Sequence, residues 1–305
     1  MKNCSISTSW RSGRIDDAKE LIDAVKDVGF DSVELEFRLK PETFDDIRKN
    51  MKSWGLSVSS LHAVCPSPTG RKRGAELFLL SDEDEERRKK GVADIIDTIR
   101  RGADIGAKAI VVHAGRVPMQ EPIYERMKLY DEGKIESAEA DAALHRMLLD
   151  RMSNVKRVFP QLLKSLEEIN EEAVRYGIDI GLENRYYFGE MPNLEEFGII
   201  FNRFDGGRLK YWHDVGHAHV QEVLLGVSQK VLLETLSDRL IGIHLHDVKS
   251  GYTDHNEPGS GSVDFEMIKS FLRPDTIRVV ELNARVEPEN VRRSIEFLRQ
   301  TGIIE

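Results

Sequence analysis

Eight short runs rich in apolar and β-branched residues alternate along this chain with longer amphipathic segments, and that alternation constrains the fold more than any other feature. The strand-like runs fall at 4–8, 32–36, 57–62, 109–113, 179–183, 209–214, 240–246 and 277–281. Helical periodicity falls near 16–28, 41–54, 82–105, 151–176, 193–203, 217–236, 264–272 and 288–300. Repeated βα units bury a parallel sheet under helices. The sequence has no G-x-G-x-x-G and no G-x-x-x-x-G-K-[ST], so nothing favours a doubly wound, phosphate-binding sheet. Eight similar units in 305 residues therefore predict an α/β protein of one domain, a (β/α)8 or TIM barrel.

Local chemistry agrees with these boundaries. Gly29, Gly55, Gly106 and Gly177 each close a helical pattern ahead of a strand, as C-terminal helix glycines do. Asp16 and Asp264 are placed to cap the helices that follow them. The one irregularity is 114–150, between the fourth strand and its main helix. It is too long for an ordinary connection and reads as a lid or oligomer contact with partial helix from Ser137 onward, or as a tolerated surface insertion.

Composition narrows the chemistry. With 40% hydrophobic and 32% charged residues and no low-complexity tract, the chain reads as a globular protein with a large core. There is no basic segment followed by an apolar run at the start, nor an apolar stretch of roughly 18 residues, which predicts a cytoplasmic protein off the membrane. Cys4 and Cys65 are the only cysteines, so a metal would have to be held by histidines and carboxylates. A net charge of −9 argues against a broad nucleic-acid surface. Two local basic runs remain, at Arg71, Lys72 and Arg73 and at Arg87, Arg88, Lys89 and Lys90, the second reading as a solvated helix face.

Metal-binding residue types recur at the strand ends. SSLHA supplies His62, VVHAG His113, GLENR Glu183, YWHDVGH Asp214, HLHD His244 and VVELN Glu281. In a barrel the C-terminal ends of the strands are where sites are built, and six such residues in register point to a shared site. Asp214 and His217 form a D-x-x-H pair at a strand-to-helix turn, where they either converge on a ligand or simply cap and open a helix. Alternation puts His244 and His246 on one face of the seventh strand. A twist at its end would make His244 the ligand and leave His246, Asp247 or Lys249 on the rim. His213 alternates away from Asp214, and His219 and His145 read as surface residues. A set of carboxylates with one imidazole suits Mn²⁺, Mg²⁺ or Co²⁺, while several imidazoles would favour Zn²⁺.

Taken in order, SLHA, VVHAG, IGLENR, WHDVGH, IHLHD, DHNEPGSGSVDF and VVELN resemble the xylose isomerase-like TIM-barrel superfamily, and the resemblance covers almost the whole chain. That superfamily holds sugar isomerases and epimerases, keto-sugar dehydratases and the endonuclease IV group. Resemblance to the epimerases implies one divalent metal on Glu183, Asp214, His244 and Glu281. Glu183 and Glu281 would shuttle protons on a keto-sugar through an enediolate, His217 would bind a substrate oxygen, and Arg185 or Lys249 would assist. Resemblance to endonuclease IV implies a three-metal cluster that adds His62, His113, His217 and His255. The chain departs from that family ahead of GSG, where Thr253 stands in place of an Asp and Asp254 adjoins His255.

The epimerase reading is the one we carry forward, with a small sugar as substrate. The alternatives are abasic-DNA phosphodiester hydrolysis, keto-sugar dehydration and a non-catalytic binding barrel. Glu34 is a further candidate for sugar hydroxyls, although Glu34 and Glu36 are as well suited to a salt bridge with Arg38 or Arg11. Trp212 shares the inward face of Asp214, and Trp10, Tyr186, Tyr187 and Phe188 are candidates for an apolar wall or for core packing. Specificity would come from loops 64–80, 114–150, 185–192 and 249–262.

Overall fold

The computed structural model describes residues 4–66, 79–120 and 123–305; the basic run at Arg71, Lys72 and Arg73 lies outside them. Eight parallel strands close into a barrel: β1 (Ser5–Ser7), β2 (Ser32–Leu35), β3 (Ser57–His62), β4 (Ala109–Val112), β5 (Asp179–Glu183), β6 (Leu209–Asp214), β7 (Leu240–Leu245) and β8 (Ile277–Val280). Each strand pairs with its sequence neighbours, and β1 closes on β8 through Ser5 opposite Val279. All eight predicted strands are present, most of them one residue shorter at the end that turns into the site.

Ten helices are found among the described residues: α1 (Ala18–Asp27), α2 (Pro41–Asn50), α3 (Glu85–Ile105), α4 (Ile123–Asp131), α5 (Ala138–Tyr176), α6 (Leu194–Arg203), α7 (Val215–Leu225), α8 (Gln229–Leu236), α9 (Phe265–Lys269) and α10 (Pro288–Gln300). The apolar stripe of α10, with Val291, Ser294, Ile295 and Leu298 buried, follows the i, i+3, i+4, i+7 spacing of a one-sided helix. Phe30 and Phe44 are fully buried in the helix-to-barrel layer, each contributing about 1.5–3 kcal/mol. No described helix is long and apolar enough to cross a membrane.

Three boundaries differ from the sequence reading for local reasons. Asp17, not Asp16, caps α1 by accepting the Glu20 N–H; Asp16 instead pairs with Lys40. The single helix expected over 217–236 is two, because Gly226 at φ 70° ends α7 in the left-handed region and Ser228 caps α8. The segment 114–150 is not a separate insertion throughout. Ser137 caps a 39-residue helix that runs through Pro160 to Tyr176, so the second half of the segment is the start of α5. Its first half forms a two-residue ribbon, Gly115–Arg116 against Glu190–Met191, followed by α4.

The barrel interior is filled from below by a small apolar layer of Ala109, Val111, Trp212 and Val279. A Cβ on Gly181 or Gly242 would come within 2.9 or 2.1 Å of the Trp212 indole. The ring therefore lies flat over two glycines, plugs the barrel and sets the floor on which the polar residues above it stand.

Candidate active site at the barrel mouth

A cavity of about 350 Å³ opens at the C-terminal ends of the strands, and Glu183, Glu281, His62, His113, His217 and His255 line it. At its floor Glu183, Asp214, His244 and Glu281 bring one donor atom each within 4.8 Å of the others. Donors around one ion at about 2.0–2.2 Å lie within roughly 4.4 Å of one another, so the cluster has nearly the dimensions of a metal cage.

The hydrogen bonds fix which nitrogen of each imidazole faces this floor. His244 Nε2 lies 3.2 and 3.3 Å from the two oxygens of Glu34. A carboxylate only accepts, so that nitrogen carries the proton. Nδ1 faces Glu183 at 2.7 Å and Glu281 at 3.1 Å, the side on which an ion would take the place of a proton. His246 is set the opposite way: its Nδ1 accepts the His255 N–H at 2.9 Å, so its Nε2 carries the proton and donates to Asp214 at 2.9 Å. Of the two histidines that alternation puts on one face, His244 is therefore the donor to the cage and His246 orients Asp214.

His62 Nδ1 faces the Ala63 carbonyl at 3.4 Å and His217 Nδ1 the Asn184 carbonyl at 3.2 Å. In each ring Nε2 is turned toward a carboxylate, Glu183 at 3.9 Å for His62 and Asp254 at 3.7 Å for His217. Such partners to the far ring nitrogen are what fix a ligating histidine.

Electrostatics point the same way. Burial alone would raise the carboxyl pKa of Glu183, but His113, His244 and Arg185 overcome it and hold the group well below the usual range. Burial is likewise overcome at Asp214 by His217, His246 and His244, and at Glu281 by His244 and His255. In return the carboxylates of Glu281, Glu34, Asp214 and Glu183 outweigh burial and raise His244 well above its ordinary value. Three buried carboxylates and one imidazole facing one point form a donor set that calls for a cation, and a divalent ion fits it.

The structure also sorts the remaining candidates. Asp214 is one of the four clustered donors and also the cap of α7, accepting the His217 N–H at 2.7 Å, so the capping reading of D-x-x-H is present in the structure. Glu34 does not reach the cavity; it is fully buried behind His244 and accepts from Ser60 at 2.8 Å. Trp212 is fully buried beneath His244, ring to ring at 5.1 Å, and is not a sugar platform. Lys249 turns aside to Glu257 at 3.1 Å. Asp247 is buried off the rim, where its two oxygens accept the backbone N–H groups of Val248, Gly259, Gly261 and Val263 and so hold the 257–263 loop. His219, read as a surface residue, is buried against Ser262. Trp10 is core, its indole N–H donating to the Val286 carbonyl.

Three contributors were missed. Asp254 stands 3.0 Å from His255 and 3.7 Å from His217, so the carboxylate that looked displaced in the sequence does join these two histidines. Asn184 brackets Asp214, accepting its backbone N–H at 2.8 Å and donating to its carbonyl at 2.9 Å. Glu190 anchors Arg185 at 3.2 Å. The D-H adjacency and the E-N-R run were the only signals for the first two.

This barrel matches a known class. The family model for the xylose isomerase-like TIM barrel matches residues 22–301. The chain belongs to that family. It is 24% identical to the 3-dehydro-D-guloside 4-epimerase of Escherichia coli K12 over 90% of this chain and 91% of that protein. Another relative, the uncharacterized protein MJ1614 of Methanocaldococcus jannaschii, matches at 26% over 42% of this chain and only 48% of its own length. Among solved structures, a D-tagatose 3-epimerase-like protein superposes with a TM-score of 0.70 at 20% identity, covering 98% of this chain and 96% of that one. The IOLI protein with a bound zinc atom superposes at 0.67 and 15% identity, covering 99% and 96%.

Proposed function

We propose that this chain is a divalent-metal-dependent epimerase or isomerase of a keto-sugar or related polyol, acting by proton transfer through an enediolate. The observation that carries this reading is the pairing of Glu183 and Glu281 on His244 at the cavity floor, at 2.7 and 3.1 Å. Glu183 ends β5 and Glu281 follows β8, with β6 and β7 between them in the barrel. The names of the epimerase relatives support it.

Glu183, Asp214, His244 and Glu281 would hold the ion, which when bound polarises a substrate carbonyl. The chain's own groups do the rest. Glu183 and Glu281 both line the cavity; one, ionised, takes the proton from the carbon beside the carbonyl, and the other returns one after it has itself taken a proton from solvent. His217, through its cavity-facing Nε2, and Arg185 are placed to bind substrate oxygens. A dehydratase would use the same pair. The exposed Leu148, Leu149 and Met152 of α5 support a homo-oligomer contact in this region.

The test is metal analysis of the purified protein with a screen of keto-sugars for solvent-deuterium uptake. Glu183→Gln and Glu281→Gln should each lower exchange by at least about 10² with an unchanged circular dichroism spectrum. A metal-loaded protein that exchanges no keto-sugar and cleaves DNA at abasic sites would overturn the reading. The cluster of His217, Asp254 and His255 supports that second reading, a multinuclear phosphodiester hydrolase related to endonuclease IV, with Zn²⁺ as its ion.

A further inference from the structure

Beside the floor lies a second donor set, His62, His113 and Glu183, whose donor atoms also fall within 4.8 Å of one another. We infer that Arg185 is a built-in cation that fills this set and keeps a metal ion out of it. The inference rests on the metal-site reading above and adds to it a count of the ions the site can hold.

The two oxygens of Glu183 are divided between two partners. Oε1 faces His244 Nδ1 at 2.7 Å, while Oε2 accepts from Arg185 Nη1 at 2.7 Å. The same Nη1 contacts His113 Nε2. His113 Nε2 also lies 2.9 Å from Glu183 Oε2, so imidazole, guanidinium and carboxylate meet at one point. His113 Nε2 and Glu183 Oε2 are two of the three atoms a second ion would need, and one nitrogen of Arg185 already engages both.

Arg185 is anchored in this position. Its Nη2 donates to Glu190 at 3.2 Å, and Glu190 is itself buried and held by Arg116 at 3.2 Å and by the Tyr187 N–H at 3.0 Å. The Arg185 side chain is only 11% exposed. Moving it to admit an ion would leave Glu190 with one cation fewer and set two dications on the two oxygens of one carboxylate. The third set is built differently, because its carboxylate, Asp254, is matched by imidazoles, those of His217 and His255.

The role follows from the geometry. Arg185 supplies positive charge to Glu183 without a second metal, and it aims Oε1 at the cage while its own face lines the cavity.

The experiment counts zinc per chain after gel filtration in the wild type, His113→Ala, Arg185→Met and the double variant. Zinc is the probe because it binds imidazole sites readily. The inference expects His113→Ala to keep the wild-type number, Arg185→Met to gain one equivalent and the double variant to lose that gain. Loss of one equivalent in His113→Ala, or an unchanged count in a folded Arg185→Met protein, overturns it. If Arg185→Met does not fold, His113→Ala decides alone. A wild-type chain that holds no ion sinks the metal reading and this inference together, whereas a bound wild-type ion with a deficit in His113→Ala sinks only the inference.

Discussion

Glu34 stands directly behind His244, its two oxygens 3.2 and 3.3 Å from Nε2. The carboxylate keeps the proton on that nitrogen and turns Nδ1 toward Glu183 and Glu281, and it makes the ring a stronger donor. Partners of this kind are worth about 10–100-fold in ion affinity. Glu34→Gln should therefore weaken Mn²⁺ or Co²⁺ binding, measured calorimetrically, by that factor. Activity should fall at low metal and recover at saturating metal. Unchanged affinity would mean that the buried carboxylate only packs.

Glu36 makes a separate prediction about pH. Burial raises its pKa from 4.5 to about 7, against the pull of Arg38 and the Ser12 hydroxyl. With the folded value above the unfolded one, the folded chain holds the proton longer. Stability from this group is then full below pH 4.5 and is lost as pH rises through about 7. The shift corresponds to about 3 kcal/mol. Thermal unfolding of the wild type and Glu36→Gln should show the variant gaining on the wild type as pH rises from 4.5 to 8. A difference that stays constant with pH would show that Glu36 is ionised throughout.

Much of this site was legible because the strand period is two and the candidate donors stand at strand ends. Face and strand end picked out His62, His113, Glu183, Asp214, His244 and Glu281, and the resemblance to the epimerases grouped Glu183, Asp214, His244 and Glu281 as one donor set. Depth was not legible. Trp212 shares the inward face of Asp214, yet two residues of rise separate a plug over Gly181 and Gly242 from the polar floor. His244 and His246 share a face by the same rule, but β7 ends at Leu245, and the role of His246 is set by a backbone N–H nine residues later.

Asp254 shows a second limit. Adjacent residues of an extended strand point to opposite faces, so Asp254 and His255 did not read as a pair. His255 sits at φ 55°, in the left-handed region that non-glycine residues seldom adopt, and that break in alternation accompanies their meeting at 3.0 Å. The split of 217–236 into α7 and α8 rests on Gly226 and Ser228, while the apolar pattern continues across them.

Gly216 tests the orienting role of His246. It lies in α7, where replacing glycine by alanine would ordinarily stabilise a helix by up to about 1 kcal/mol. Here the added Cβ would lie 2.0 Å from His246 Cε1 and 2.5 Å from Nδ1. The ring is held at both nitrogens, so it can yield only by giving up Asp214 or the His255 N–H. Gly216→Ala should therefore destabilise the chain by about 1–3 kcal/mol and weaken ion binding, because Asp214 loses its donor. His246→Ala also removes that donor, but it makes room for the new methyl. If the clash is the cause, the double variant should unfold at a higher temperature than the sum of the single losses predicts, a coupling of the size seen between touching residues. Ion affinity should stay low in the double variant, since the missing donor is not restored. Strictly additive losses in unfolding temperature would show that Gly216 is required for some other reason.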